Sequence, residues 1–317
     1  MAEYAYDPEL ASIVPLLPTV ADWSDMDAAR AQMAEMMAAI APLNPDDLGV
    51  DHEDRTLAGP DGAPDVLARV YRPRRAADVR PAVLYIHGGG FCLGSIETEH
   101  HAALAAAAAT DAVVVSVEYR LAPEQPFPAG LEDCYAALRW MASEAAALGV
   151  DPDRIAVMGA SAGGGLSAGL TLLARDRGGP KLCFQLLSIP ELDDRLETPS
   201  MRTFVDTPLW NRPNAELSWR YYLGENGGEV SPYAAPARAT DLSGLPPAYV
   251  STMEFDPLRD EGIVYAMRLL EHGVTVELHQ YPGTFHGSHI IQSARVSQTT
   301  VAEMIDALRR GLGLQGD

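Results

Sequence analysis

Lysine is almost missing from this chain: of 23 basic residues, 22 are arginine and only Lys181 is lysine. Lys181 belongs to no S-x-x-K pattern, so serine–lysine hydrolysis of the β-lactamase kind has no candidate. Cysteine is scarce as well. Cys92, Cys134 and Cys183 lie far apart, with no C-x-x-C pair, no zinc-ligand pattern and no disulfide framework. Basic charge is outnumbered, 44 acidic residues against 23, for a formal net charge of −21. Such a surface repels phosphate, which argues against nucleic-acid and anionic-membrane partners. No apolar run reaches the roughly 18–20 residues of a membrane span. The start, MAEYAYDPEL, has neither the basic nor the apolar region of a secretory signal. These absences predict a soluble, cytoplasmic protein. At 317 residues, with 47% hydrophobic residues, the chain can bury a large core.

What is present is an alternation of strand and helix patterns. Residues 51–73 read as a hairpin around Gly59-Pro60-Asp61-Gly62. Strands are then predicted at 82–86, 112–117, 154–158, 183–189, 248–253 and 274–280, and helices at 98–109, 131–148, 166–175, 258–271 and 299–310. Strands separated by such helices imply a mostly parallel sheet covered on both faces. Two regions break the rhythm. Residues 1–48 are Pro-punctuated, with a helix expected over 26–40 that ends before Pro42 and Pro45; its methionines Met26, Met33, Met36 and Met37 read first as core packing. Residues 191–247 are rich in aromatics and proline, and a long insertion between sheet units usually serves a site as a lid.

Gly159-Ala160-Ser161-Ala162-Gly163 is a G-x-S-x-G pentapeptide that follows the strand at 154–158 and precedes a helix. That order is what a nucleophile elbow requires, a sharp turn whose flanking residues must be small and whose serine stands next to a helix N-terminus. Ser161 is the expected nucleophile. A serine needs a base and an orienting acid, which in this arrangement follow in the order serine, acid, histidine. His286, in a loop after the last predicted strand, is the expected base, with His289 as its rival; His279 reads as a strand residue and His272 as a helix-end cation. Asp256, just past the strand at 248–253, is the expected acid, ahead of Glu254 and Asp260. It also suits a helix cap before Pro257, and the two roles are compatible. Backbone donors for an oxyanion are expected from Ala162 and from the loop His87-Gly88-Gly89-Gly90-Phe91, with His87 as its anchor.

Together these residues resemble the hormone-sensitive-lipase-like family of α/β-hydrolases. The matching pieces are His87–Phe91, Tyr119-Arg120-Leu121-Ala122-Pro123-Glu124 with Phe127-Pro128, Gly159–Gly164, Asp256–Gly262 and His286-Gly287. The resemblance implies an α/β-hydrolase fold and a carboxylesterase with catalytic Ser161, Asp256 and His286. It also implies oxyanion donors at Gly89, Gly90 and Ala162, no cofactor or metal, and a small-molecule ester as partner. It divides the chain into cap segments at 1–48 and 191–235 and core segments at 49–190 and 236–317, forming a single catalytic domain. Family members often dimerise, which leaves a homodimer open. Two departures stand out: Ala160 where the family often has Asp, and Ile189-Pro190 where it has Tyr-Pro. The stretches at 204–210 and 218–224 look like those of acetyl-ester hydrolases, which implies short acyl groups. Phe91, Trp210 and Phe285 are the candidate substrate contacts. An amidase or thioesterase would share the same triad, and a non-catalytic receptor is the reading from another class.

Overall fold

The computed structural model describes residues 4–18, 23–39, 43–75, 77, 79–224 and 228–314. Its eight strands are β1 (Val50–Leu57), β2 (Val66–Pro73), β3 (Arg80–Ile86), β4 (Val113–Glu118), β5 (Val150–Ala160), β6 (Phe184–Ser188), β7 (Ala248–Phe255) and β8 (Val276–Phe285). They form one sheet in the order β1-β2-β4-β3-β5-β6-β7-β8. β1 and β2 form the expected hairpin, β2 pairs antiparallel with β4, and every pairing from β4 to β8 is parallel. Among the described residues, seven helices have eight residues or more: α1 (Met26–Ala38), α2 (His100–Thr110), α3 (Ala129–Ser143), α4 (Ala162–Asp176), α5 (Arg212–Leu223), α6 (Arg259–Glu271) and α7 (Arg295–Gly311).

The central strands are apolar on both sides because both are covered. On β3, Ala82, Leu84 and Ile86 join a core cluster with Leu131, Leu138, Leu166 and Leu170 of α3 and α4. Val83 and Tyr85 face the other way and pack with Ala103, Ala107, Ala307 and Leu308 of α2 and α7. The period of two thus sends alternate residues to opposite helical layers. Edge strand β1 shows the contrast: between its buried ends, Val50 and Leu57, every residue is exposed.

Several element bounds differ from the sequence reading. The helix expected over 131–148 is two helices, α3 and a short turn at Ala145–Leu148, joined at Glu144 in a non-helical conformation (φ −96°, ψ 13°). No Gly or Pro announces that break. α4 starts at Ala162 rather than 166, since three successive glycines that disfavour a free helix are held in one by packing. β8 runs on to Phe285, so His286 follows a strand end directly. α1 is present to Ala38, while Ile40 and Pro42 lie outside the described residues. Met26 and Met33 pack against the main core cluster. No helix among the described residues is long and apolar enough to cross a membrane.

Candidate active site

The carboxyl ends of β3, β5, β6, β7 and β8 open on one edge of the sheet, where open α/β sheets place their ligands. Ser161 stands between β5 and α4 at φ 57° and ψ −124°. For a residue with a side chain this backbone is strained by about 1–3 kcal/mol, so the surroundings must enforce it. They do so through hydrogen bonds: the Ser161 N–H donates to the Ser188 carbonyl (2.9 Å), and its own carbonyl accepts from Gly165 (3.0 Å) and Glu191 (3.1 Å). Close approach of β3 completes the constraint, because a Cβ on Gly163 would lie 2.1 Å from the Ile86 carbonyl oxygen. Gly163→Ala is therefore expected to destabilise the fold by about 3 kcal/mol, as overpacking against backbone allows little relief. A thermal melt checks this, and an unchanged midpoint contradicts the packing.

His286, directly after β8, brings Nε2 to 3.0 Å from Ser161 Oγ and Nδ1 to 2.8 Å from Asp256 Oδ2. Asp256 is fully buried past the end of β7. Its second oxygen, Oδ1, accepts the Leu258 N–H at 2.9 Å just ahead of α6, so one carboxylate both ties down the helix start and holds the imidazole. Leu258, not Asp256, is the capping residue of that helix. The rivals are engaged elsewhere. Glu254 accepts from the Gly283 N–H and Asp260 from the Ser200 N–H. His289 is half-buried, its Nδ1 has no partner among the described residues, and desolvation pushes its imidazole down to about 4. His279 bridges Glu277 and Glu303, and His272 ends α6 with Nδ1 at 2.8 Å from the Arg268 carbonyl.

Three amides expected to receive an oxyanion belong to Ala162, Gly89 and Gly90. Ala162 is the first residue of α4, so its N–H has no intrahelical acceptor. Among the described residues, neither the Gly89 nor the Gly90 N–H donates to a protein acceptor. Both glycines have positive φ, 116° and 55°. A Cβ on Gly90 would lie 2.5 Å from the Trp23 ring and 2.7 Å from the Trp210 ring. The loop is held from beneath: Tyr119 stacks on His87 at 4.1 Å between centroids and donates its hydroxyl to the His87 carbonyl. Burial pushes the His87 imidazole down to about 4, leaving it a neutral anchor. From above, Arg30 of α1 donates to the carbonyls of Cys92 and Ala122 and pairs with Glu124. Chemically, the arrangement offers a hydroxyl beside a base.

A family model described as the alpha/beta hydrolase fold matches residues 83–290. The chain belongs to the α/β-hydrolase family. It is 43% identical over 290 residues to Carboxylesterase NlhH from Mycobacterium tuberculosis, an alignment covering 89% of this chain and 88% of that protein. It is 34% identical to an ethyl acetate hydrolase from Pseudomonas putida, over 83% of this chain and 82% of that protein. Among solved structures, a bacterial heroin esterase superposes with a TM-score of 0.94 at 54% identity, covering 97% of this chain and 98% of that one.

Within this hydrolase the three expected substrate contacts have different surroundings. Trp210 tilts against His286, with ring centroids 5.6 Å apart, and meets Trp23 edge-on. Phe91 is buried and stacked on Tyr222 at 3.9 Å. Phe285 is fully buried in a cluster with Leu10 and Ala294 and meets the Tyr6 ring at its edge. Burial holds the Cys92 thiol protonated, in keeping with its reading as a small hydrophobe. A cavity of about 590 Å³ lies beside β8 and α7, but Ser161, His286 and Asp256 are not among its walls. Trp23, Glu191 and Ser218 were not read as site residues in the sequence. A lone tryptophan in a polar stretch and an acid after Ile189-Pro190 carry no spacing signal.

Proposed function

We propose that this protein is a serine carboxylesterase acting on short-chain esters. The observation that carries the reading is the hydrogen-bond series Ser161–His286–Asp256, at 3.0 and 2.8 Å, beside unpartnered amides of the glycine loop. His286 Nδ1–H donates to Asp256, which leaves Nε2 free to take the Ser161 proton as Oγ attacks the ester carbonyl. The N–H groups of Gly89, Gly90 and Ala162 receive the oxyanion. Its collapse expels the alcohol, which takes the proton from His286. Water, deprotonated by the same nitrogen, then attacks the acyl-enzyme, releases the carboxylic acid and restores the Ser161 hydroxyl.

Short acyl groups are proposed because Trp23 and Trp210 crowd the Gly90 side of the site and because one relative is named for ethyl acetate. Segments 1–48 and 191–235 act as the cap. Supporting this, Trp23 touches Trp210, and Tyr221 donates to the Trp23 carbonyl. Trp210 is kept as a substrate wall. Phe91 and Phe285 are assigned to packing, given their stacked and clustered rings.

Across p-nitrophenyl esters from acetyl to decanoyl, kcat/KM is expected to peak at about two to six carbons, with Trp23 and Trp210 beside Gly90 limiting the room for longer chains. A maximum at about ten carbons contradicts the short-chain assignment. Matched amide and thioester substrates separate an esterase from the other reactions of the same triad. Covalent labelling of Ser161 by an organophosphonate separates all of these from a receptor.

A further inference from the structure

Ser218 of α5 sits between two acceptors. Its Oγ is 2.9 Å from Glu191 Oε1 and 3.0 Å from the Gly90 carbonyl oxygen. A hydroxyl carries one hydrogen, so it cannot donate to both. Both contacts are satisfied in one arrangement only: the Glu191 carboxyl is neutral, its proton goes to Ser218 Oγ, and the Ser218 hydrogen goes to the Gly90 carbonyl. Glu191 is fully buried, no arginine or lysine pairs with it, and its Oε2 has no partner among the described residues. A carboxylate in such a place is far more costly than a carboxylic acid. The same residue is tied to the elbow, because the Glu191 N–H donates to the Ser161 carbonyl. Gly165 permits this approach, since a Cβ there would lie 2.1 Å from the Glu191 carbonyl oxygen.

We propose that Glu191 is a positioning residue, acting as a neutral acid that sets the oxyanion loop through Ser218 and the Gly90 carbonyl while its backbone holds the Ser161 turn. This rests on the esterase reading and deepens it. Ionisation of Glu191 draws the Ser218 hydrogen to the carboxylate and releases the Gly90 carbonyl. The loop then loses the bond that joins it to α5, and transition-state stabilisation falls while ground-state binding does not. Burial pushes the Glu191 carboxyl up to about 8, with the Asp256 charge adding to the rise and the Ser218 bond opposing it. The other titratable groups facing it are Glu261 of α6, Cys92 of the glycine loop and Tyr222 of α5. Burial raises all three, and it keeps the thiol and phenol neutral well above pH 8.

The test is the pH profile of kcat on p-nitrophenyl acetate for wild type, Glu191→Gln, Glu191→Ala, Ser218→Ala and Glu261→Gln. Wild-type kcat is expected to fall as pH rises through about 8, with KM little changed. Glu191→Ala and Ser218→Ala are expected to lower kcat at neutral pH, by on the order of 10²-fold for a misplaced donor loop. Glu191→Gln keeps a donor toward Ser218. It should recover most of that loss at neutral pH and lack the alkaline fall, whereas Glu261→Gln keeps the fall. An alkaline fall that persists in Glu191→Gln, or disappears in Glu261→Gln, overturns the proposal. So does a wild-type profile in Ser218→Ala. Phosphonate labelling distinguishes the two levels: if Ser161 is labelled and the enzyme is active, such results sink the role of Glu191 alone, while an unlabelled Ser161 sinks the esterase reading with it.

Discussion

Replacing Ser161 with alanine is expected to lower kcat on p-nitrophenyl acetate by about 10⁶-fold. The size of the effect follows from the site, because among the described residues Ser161 is the hydroxyl hydrogen-bonded to His286. Its Nε2 has Ser161 Oγ as partner, and Cys92 is a buried thiol that burial keeps protonated. Residual turnover would come from the glycine-loop amides and Ala162 acting on attack by water. The fold should survive, since the Ser161 backbone hydrogen bonds to Ser188, Gly165 and Glu191 are independent of the side chain. The measurement is a burst and steady-state assay beside a melting curve. Retention of full activity by a folded Ser161→Ala protein removes the proposed mechanism altogether.

Asp256→Asn is expected to cost about 10⁴-fold in kcat, with little change in KM. In the native site Asp256 makes two bonds of the same sense, accepting from Leu258 N–H at 2.9 Å and from His286 Nδ1–H at 2.8 Å. An asparagine has one acceptor and one donor end. If its oxygen keeps the Leu258 amide, its NH₂ faces Nδ1 and the imidazole must move its proton to Nε2. A protonated Nε2 meets Ser161 as a donor and cannot take its proton. If the amide is turned the other way, its NH₂ confronts the Leu258 N–H in a fully buried position, which is costly. The first orientation is therefore the favoured one, and it removes the base without removing its ring. Activity within about tenfold of wild type would mean that Asp256 does not set the tautomer.

The motifs were legible because each rests on short-range constraints. Gly159 and Gly163 flank Ser161 within one turn, and the steric demand of that turn needs no knowledge of the remaining chain. Asp256 and His286 were expected from their place just past predicted strands. The parallel sheet puts those places on one edge, and the structure brings the side chains within hydrogen-bond distance. The reading was weaker where tertiary packing overrides local preference. The glycines at 163–165 belong to a helix, the run 131–148 is broken at Glu144, and the final strand extends to Phe285. Composition cannot report these, because the deciding neighbours are supplied by other elements.

By itself, then, the order of residues determined the alternation of strand and helix and the turn that holds Ser161, and it pointed to Asp256 and His286 as the residues to meet that serine. These follow from periodicity and from sterics within a few residues. Only the folded chain decided that Trp23, Trp210, Glu191 and Ser218, scattered over almost two hundred positions, surround one glycine loop. Whether an acid is charged or neutral depends on how much water is excluded from around it, and that exclusion comes from packed segments distant in sequence.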